Sequence, residues 1–174
     1  MCNNIISFKD IEAFVFDFDG VLTDNKVTIS QGGEESVTCS RADGLAFDVL
    51  RKLEKSVYIL STEKNPVVEI RAKKLNVPVI QGVSDKVLAI KEVVREGGYN
   101  LKNILYVGND LNDYLVMKIC GYTACPSDSH PKIKKISRHI LTTKGGNGVV
   151  REVLEKVFNL DFIDILYSSK EVSK

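Results

Sequence analysis

Asp17 and Asp19 stand two residues apart at the end of an apolar run, FVFDFDGVLTDN over residues 14–25, with Gly20 directly behind them. Two clustered carboxylates resist simultaneous ionisation unless a cation or hydrogen-bond donors compensate them. A divalent metal is the economical answer, and magnesium suits an all-oxygen site built from one or two carboxylates, a carbonyl, waters and a substrate phosphate. A lone DxD is equally an ordinary solvated turn. Three later stretches add what that turn would lack: Ser61 after VYIL, Lys86 after IQGVSD, and GNDLND, residues 108–113, after ILYV. Phosphoryl transfer spreads negative charge over equatorial oxygens and is catalysed mostly by positioning and charge stabilisation. A hydroxyl, an ammonium and further metal-binding oxygens supply both. Taken singly, Ser61 is also a loop or capping residue and Lys86 a solvated helix lysine; their joint order and placement carry the signal.

These residues need a frame that gathers them. Short β-branched and apolar runs recur at 13–18, 57–60, 77–80, 104–107, 122–125 and 139–141, and helical-period stretches at 44–54, 66–75, 85–95 and 111–119 lie between most of them. The alternation predicts right-handed crossovers and an α/β fold with a mostly parallel sheet covered on both faces. In such a sheet, ligands bind at the carboxyl ends of the strands, where Asp17 and Asp19 fall. Residues 26–30 and 34–39 break the rhythm: both alternate like strands, and Gln31-Gly32-Gly33 between them supplies a hairpin turn. The inserted hairpin is either a surface flap or an element of assembly. Further on, KGGNGVVREVLEKVF has a glycine cluster opening an amphipathic helix, and residues 159–174 read as a C-terminal tail with a polar finish.

DFDGVLTD, then Ser61, then Lys86, then GNDLND resembles the four motifs of the haloacid dehalogenase-like phosphatases, in order. The hairpin after the first motif, the segments RADGLAFDVL and QGVSDKVLAI, the closing GGNGVVREV and the absence of a cap-sized insertion resemble its small capless branch, which acts on 3-deoxy-octulosonate 8-phosphate and nonulosonate 9-phosphates. The resemblance implies a three-layer Rossmann-like sandwich. It implies Asp17 as the nucleophile that becomes phosphorylated and Asp19 as general acid and then base, which suits the chemistry of a carboxylate that divides a hard hydrolysis into two steps. It further implies that Ser61 bonds the phosphoryl group, that Lys86 steadies that group and the nucleophile, and that Mg2+ is held by Asp17, the Asp19 carbonyl and the fourth motif. There the chain departs from many relatives: Asn109 stands where an aspartate is usual, followed by Asp110 and Asp113. An amide oxygen can ligate magnesium but brings no charge, and Asp110 or Asp113 could compensate directly or through water.

The substrate implied is a small phosphorylated keto sugar acid. After the second motif the chain reads STEKN, and Thr62, Glu63, Arg71 and Lys74 resemble the residues with which nonulosonate phosphatases meet the sugar. Arginine pairs with carboxylates and glutamate accepts bonds from hydroxyls; Arg71 and Lys74 also fit a solvated helix face. The rival readings are an octulosonate 8-phosphate phosphatase, a weakly active or inactive assembly module like the domains fused to cytidylyltransferases, and a phosphoryl-accepting receiver, against which Asp19 argues by favouring hydrolysis. The resemblance also implies a homotetramer built through the hairpin.

The bulk properties agree. With 174 residues, 44% hydrophobic and 27% charged, the chain reads as one soluble globular domain. Lys plus Arg (24) nearly cancel Asp plus Glu (23), which removes the global positive field that nucleic acid or an anionic membrane would require. Cys2, Cys39, Cys120 and Cys125 form no CxxC pair and read as reduced thiols. With no signal-peptide pattern and no long apolar run, the expected location is cytoplasmic.

Overall fold

The computed structural model describes residues 7–168. β1 (Ala13–Phe16) leads to a separate antiparallel pair, β2 (Thr28–Ile29) and β3 (Glu35–Ser36), and then to α1 (Ala42–Lys52) and β4 (Ser56–Leu60). Next come α2 (Val67–Leu75), β5 (Val79–Ile80), α3 (Lys86–Gly97), β6 (Ile104–Val107), α4 (Tyr114–Ile119), β7 (Tyr122–Cys125), α5 (Pro131–Ile136), β8 (His139–Ile140), α6 (Val149–Glu152) and α7 (Phe162–Tyr167). The main sheet runs β5-β4-β1-β6-β7-β8, and every pairing in it is parallel.

The central strand explains the layering. All four residues of β1 are buried, and side chains alternate between the faces of a strand. Phe14 and Phe16 enter one apolar layer with Phe47 and Leu50 of α1, Val68 and Ala72 of α2, and Val149 and Val150 of α6. Ala13 and Val15 enter the other with Ile90 and Val93 of α3, Val116 of α4 and Ile133 of α5. Burial on both faces is why β1 and β6 read as continuous apolar runs, as strands of covered parallel sheets do. After β5 the chain returns to pair β6 on the far side of β1, so the carboxyl ends of β1, β4 and β6 lie side by side.

Several local expectations are corrected. The hairpin pairs only as Thr28↔Ser36 and Ile29↔Glu35, with one isolated bridge at Thr23↔Cys39, because its tip is exposed and no layer packs on it. A short helix, α5, was not anticipated. The helix after the glycine cluster passes from α6 into a wider π turn, Val153–Val157, where the Phe158 N–H bonds the Val153 carbonyl. Part of the expected tail is α7, capped by Asp161 and anchored by buried Phe162. Cys39, Cys120 and Cys125 are free thiols, and Cys2 lies outside the described residues. Among the described residues no helix is long and apolar enough to cross a membrane.

Candidate active site

Beyond β1 the chain turns sharply around one carbonyl. The Phe18 oxygen accepts the N–H groups of Leu22 at 2.9 Å and Thr23 at 3.1 Å, which winds Asp19 and Gly20 into a tight loop. Buried Thr23 clamps that loop: its hydroxyl accepts the Gly20 and Asn25 N–H groups, each at 3.2 Å, and lies 3.4 Å from Asp19 Oδ1 as donor. A second segment holds the loop from outside. The Gly146 N–H donates to the Val21 carbonyl, Asp128 accepts from Gly145, and a Cβ at Gly145 would strike the Gly20 carbonyl. Asp17 and Asp19 thereby face one open cleft of about 290 Å³, shared with Asn25, Asn109 and Asp110.

Asp17 is buried and its carboxylate is oriented by two donors, both on Oδ1: the Phe18 N–H at 2.7 Å and Lys86 Nζ at 2.8 Å. Oδ2 is left for the cleft. Lys86 is placed by its own helix start, since Asp85 caps α3 by accepting the Val87 and Leu88 N–H groups at 2.8 and 3.1 Å. The same ammonium reaches Asp113 Oδ1 at 2.7 Å, an oxygen that also accepts the Tyr106 hydroxyl at 2.8 Å. Burial pulls the Lys86 pKa down, yet Asp17 and Asp113 outweigh it, and the pKa lies above the ordinary lysine value. The ammonium is thus charged where a phosphoryl group would need it. Burial and the Asp113 charge push Asp17 well above the carboxylate range, opposed by Lys86. Asp19 is raised by burial and then by the charge of Glu63.

Two raised carboxyls facing one cleft are what a cation would relieve. A third oxygen awaits the same partner: Asn109 Oδ1 is buried with no hydrogen bond. Its amide packs against Gly20, whose φ of +76° and missing Cβ are both required, because a methyl there would overlap the Asn109 side chain. Asp17, the Asp19 backbone and Asn109 therefore fit a hard, oxygen-seeking divalent ion. The two acids of the fourth motif differ in their surroundings. Asp113 is fully buried with both oxygens engaged, Oδ1 as above and Oδ2 by the Asn109 N–H at 2.8 Å, so its contacts are with Lys86, Tyr106 and the Asn109 backbone. Asp110 borders the cleft, but its Oδ1 accepts the Leu111 N–H at 2.7 Å. Among the described residues no three His, Cys, Asp or Glu side chains converge as a metal cage.

Ser61 is buried at the end of β4, its Oγ accepting the Glu63 N–H at 3.0 Å, which leaves the hydroxyl proton free to donate. Thr62 Oγ1 lies 3.5 Å from Asn112 Nδ2, so the loops after β4 and β6 meet. Glu63 folds back on the Lys64 and Asn65 N–H groups, and Asn65 in turn holds Glu35 of the hairpin at 2.9 Å. Arg71 and Lys74 are not brought to the cleft of their own chain: Arg71 donates to the Ser40 carbonyl at 2.8 Å, and Lys74 is exposed on α2. Sequence reasoning missed Thr23 and Tyr106. Thr23 sits inside the quoted motif and could have been singled out as a loop clamp; Tyr106 lies within an apolar strand and carried no signal.

Known proteins are similar to this chain in sequence and fold. A family model for haloacid dehalogenase-like hydrolases matches residues 47–153. The 3-deoxy-D-manno-octulosonate 8-phosphate phosphatase of Escherichia coli K12 is 30% identical over 152 residues, covering 87% of this chain and 81% of that protein. A Streptomyces avermitilis chain assigned to the same hydrolase family superimposes with a TM-score of 0.86 at 39% identity, covering 89% of each chain. The Moraxella catarrhalis octulosonate phosphatase, solved with magnesium, phosphate and the sugar acid, superimposes with a TM-score of 0.83 at 30% identity, covering 87% of each chain.

Proposed function

The chain belongs to the haloacid dehalogenase-like hydrolases and is a phosphatase, and from that premise we propose that it is a magnesium-dependent phosphomonoesterase acting on a phosphorylated keto sugar acid through a phosphoaspartyl intermediate. The observation that carries the reading is the buried contact of Lys86 with Asp17 beside Asp19 in one cleft. Asp17 Oδ2 attacks phosphorus as the bond to the leaving oxygen breaks, and Asp19 gives that oxygen its proton. Asp19 then takes a proton from water, whose oxygen attacks the phosphoaspartate and returns Asp17 and free phosphate. The raised pKa of Asp19 favours the protonated form that the first step uses. Lys86 holds the nucleophile and draws charge from the phosphoryl oxygens, and Ser61 donates to the same group. Magnesium held by Asp17, the Asp19 carbonyl and Asn109 supplies positive charge at those oxygens.

The sugar is proposed as a nonulosonate 9-phosphate on the strength of Thr62 and Glu63 behind Ser61. The octulosonate 8-phosphate is the second reading, favoured by the names of the relatives. Arg71 and Lys74, which do not line their own cleft, meet the sugar carboxylate in a neighbouring copy's cleft within a homotetramer. The exposed Val27 and Ile29 of the hairpin support such contacts. Free thiols support a reducing compartment such as the cytoplasm. Phosphate release from both sugar phosphates, with and without magnesium, tests the proposal. Magnesium-dependent release, faster from the nonulosonate ester, is expected; the reverse order selects the octulosonate reading, and no release from any phosphorylated sugar acid sinks both and leaves the inactive assembly module.

A further inference from the structure

We infer that Tyr106 is a positioning residue of this reaction: its hydroxyl locks the Asp113 carboxylate in the rotation that holds Lys86 on the nucleophile Asp17. The inference rests on the phosphatase reading of the cleft. Tyr106 has no exposed surface and stands on β6, in register with Val15 on one side and Thr123 on the other, so its ring is anchored in the middle of the sheet. Asp113 is hemmed in on one side. Its Cβ and Cγ lie so close to Gly108 that a methyl group there would overlap them. Oδ2 is held by the Asn109 N–H at 2.8 Å and more loosely by the Asp110 N–H at 3.4 Å.

Oδ1 receives the two donors that fix the rotation, Lys86 Nζ at 2.7 Å and the Tyr106 hydroxyl at 2.8 Å. The phenol is a donor because it is protonated; burial, followed by the charges of Asp113 and Asp17, pushes its pKa well up. A buried carboxylate that loses one of its donors draws more strongly on those that remain. Without the phenol, the Lys86 ammonium becomes the only donor on Oδ1, and it is pulled from Asp17 towards Asp113. The competing account is that a buried tyrosine needs a partner and Asp113 provides it. That account predicts lost stability and an unchanged turnover per folded molecule.

Tyr106→Phe keeps the ring and removes the donor. Turnover of a small phosphomonoester such as p-nitrophenyl phosphate is measured per folded protein at saturating magnesium. The expected result is a fall in kcat of about tenfold with KM within about twofold, as a displaced catalytic group gives; kcat within about twofold of the parent overturns the inference. Should the parent hydrolyse no ester, the phosphatase reading fails by itself, and the nitrogen resonance of the Lys86 ammonium decides the inference: a shift with faster proton exchange supports it, an unmoved signal overturns it. Should the phenylalanine variant fail to fold, a ring-fluorinated tyrosine at 106 keeps the hydroxyl as a stronger donor. The Lys86 signal must then shift, and an unmoved signal again overturns the inference.

Discussion

Asp17, Asp19 and Asn109 present their oxygens to one cleft, and the account gives each a different task. Asp17→Asn keeps the shape and removes the nucleophile, so turnover should fall by on the order of 10³-fold or more with the melting temperature held or raised, since a buried carboxyl is removed. Asp19→Asn should also lose most turnover, by loss of the proton donor. Asn109→Asp adds a charge beside an oxygen that lacks any partner. The magnesium concentration for half-maximal activity should fall about three- to tenfold, and titration calorimetry of magnesium on the variant should show the same tightening; an unchanged affinity would place Asn109 outside the ion's reach. At this scale the convergence of Asp17 and Lys86 was legible because residue type and order announce it. Asp113 was not. In GNDLND it is one more acid beside Asp110, and only the fold shows that one carboxylate borders the cleft while the other is buried under Lys86 and Tyr106.

Between elements, Asp43 makes a long-range tie outside the sheet. It is buried in α1, and its Oδ1 accepts the Val150 and Arg151 N–H groups at 2.9 and 3.2 Å, capping the helix that follows the glycine segment pressed on the Asp19 loop. Burial, opposed by those two N–H groups and by Arg71 and Arg151, raises its pKa from 3.8 to about 6. An acid with a raised folded pKa binds more protons folded than unfolded between those values, so its contribution to stability declines as pH rises through that window and is level above it. Asp43→Asn retains an acceptor without the charge. The melting temperature of the variant minus that of the parent should therefore climb between about pH 4 and pH 6; a constant difference would contradict the buried charge. The strands of the main sheet were legible to within a few residues because burial on both faces leaves unbroken apolar runs. The α5 helix was not, since six residues of PKIKKI are too few to establish a period, and the hairpin was read too long because alternation continues beyond the residues that pair.

For the whole molecule, the cleft is open and among the described residues no cap covers it, so partner copies are the proposed source of sugar contacts. Deleting residues 28–36 should yield species smaller than a tetramer by light scattering, with KM raised for the sugar phosphate and hydrolysis of a small ester affected less. A parent that is monomeric at micromolar concentration with full sugar selectivity would contradict that arrangement. The central claim concerns Asp17 alone, and it is tested most directly by trapping the intermediate. Asp19→Asn, in which loss of the general base should slow hydrolysis of the phosphoaspartate most, is mixed with substrate and magnesium, quenched in acid, reduced with borohydride and read by peptide mass spectrometry. The account predicts reduction of the acyl phosphate to homoserine at position 17; homoserine at any other aspartate, with residue 17 unmodified, would contradict it.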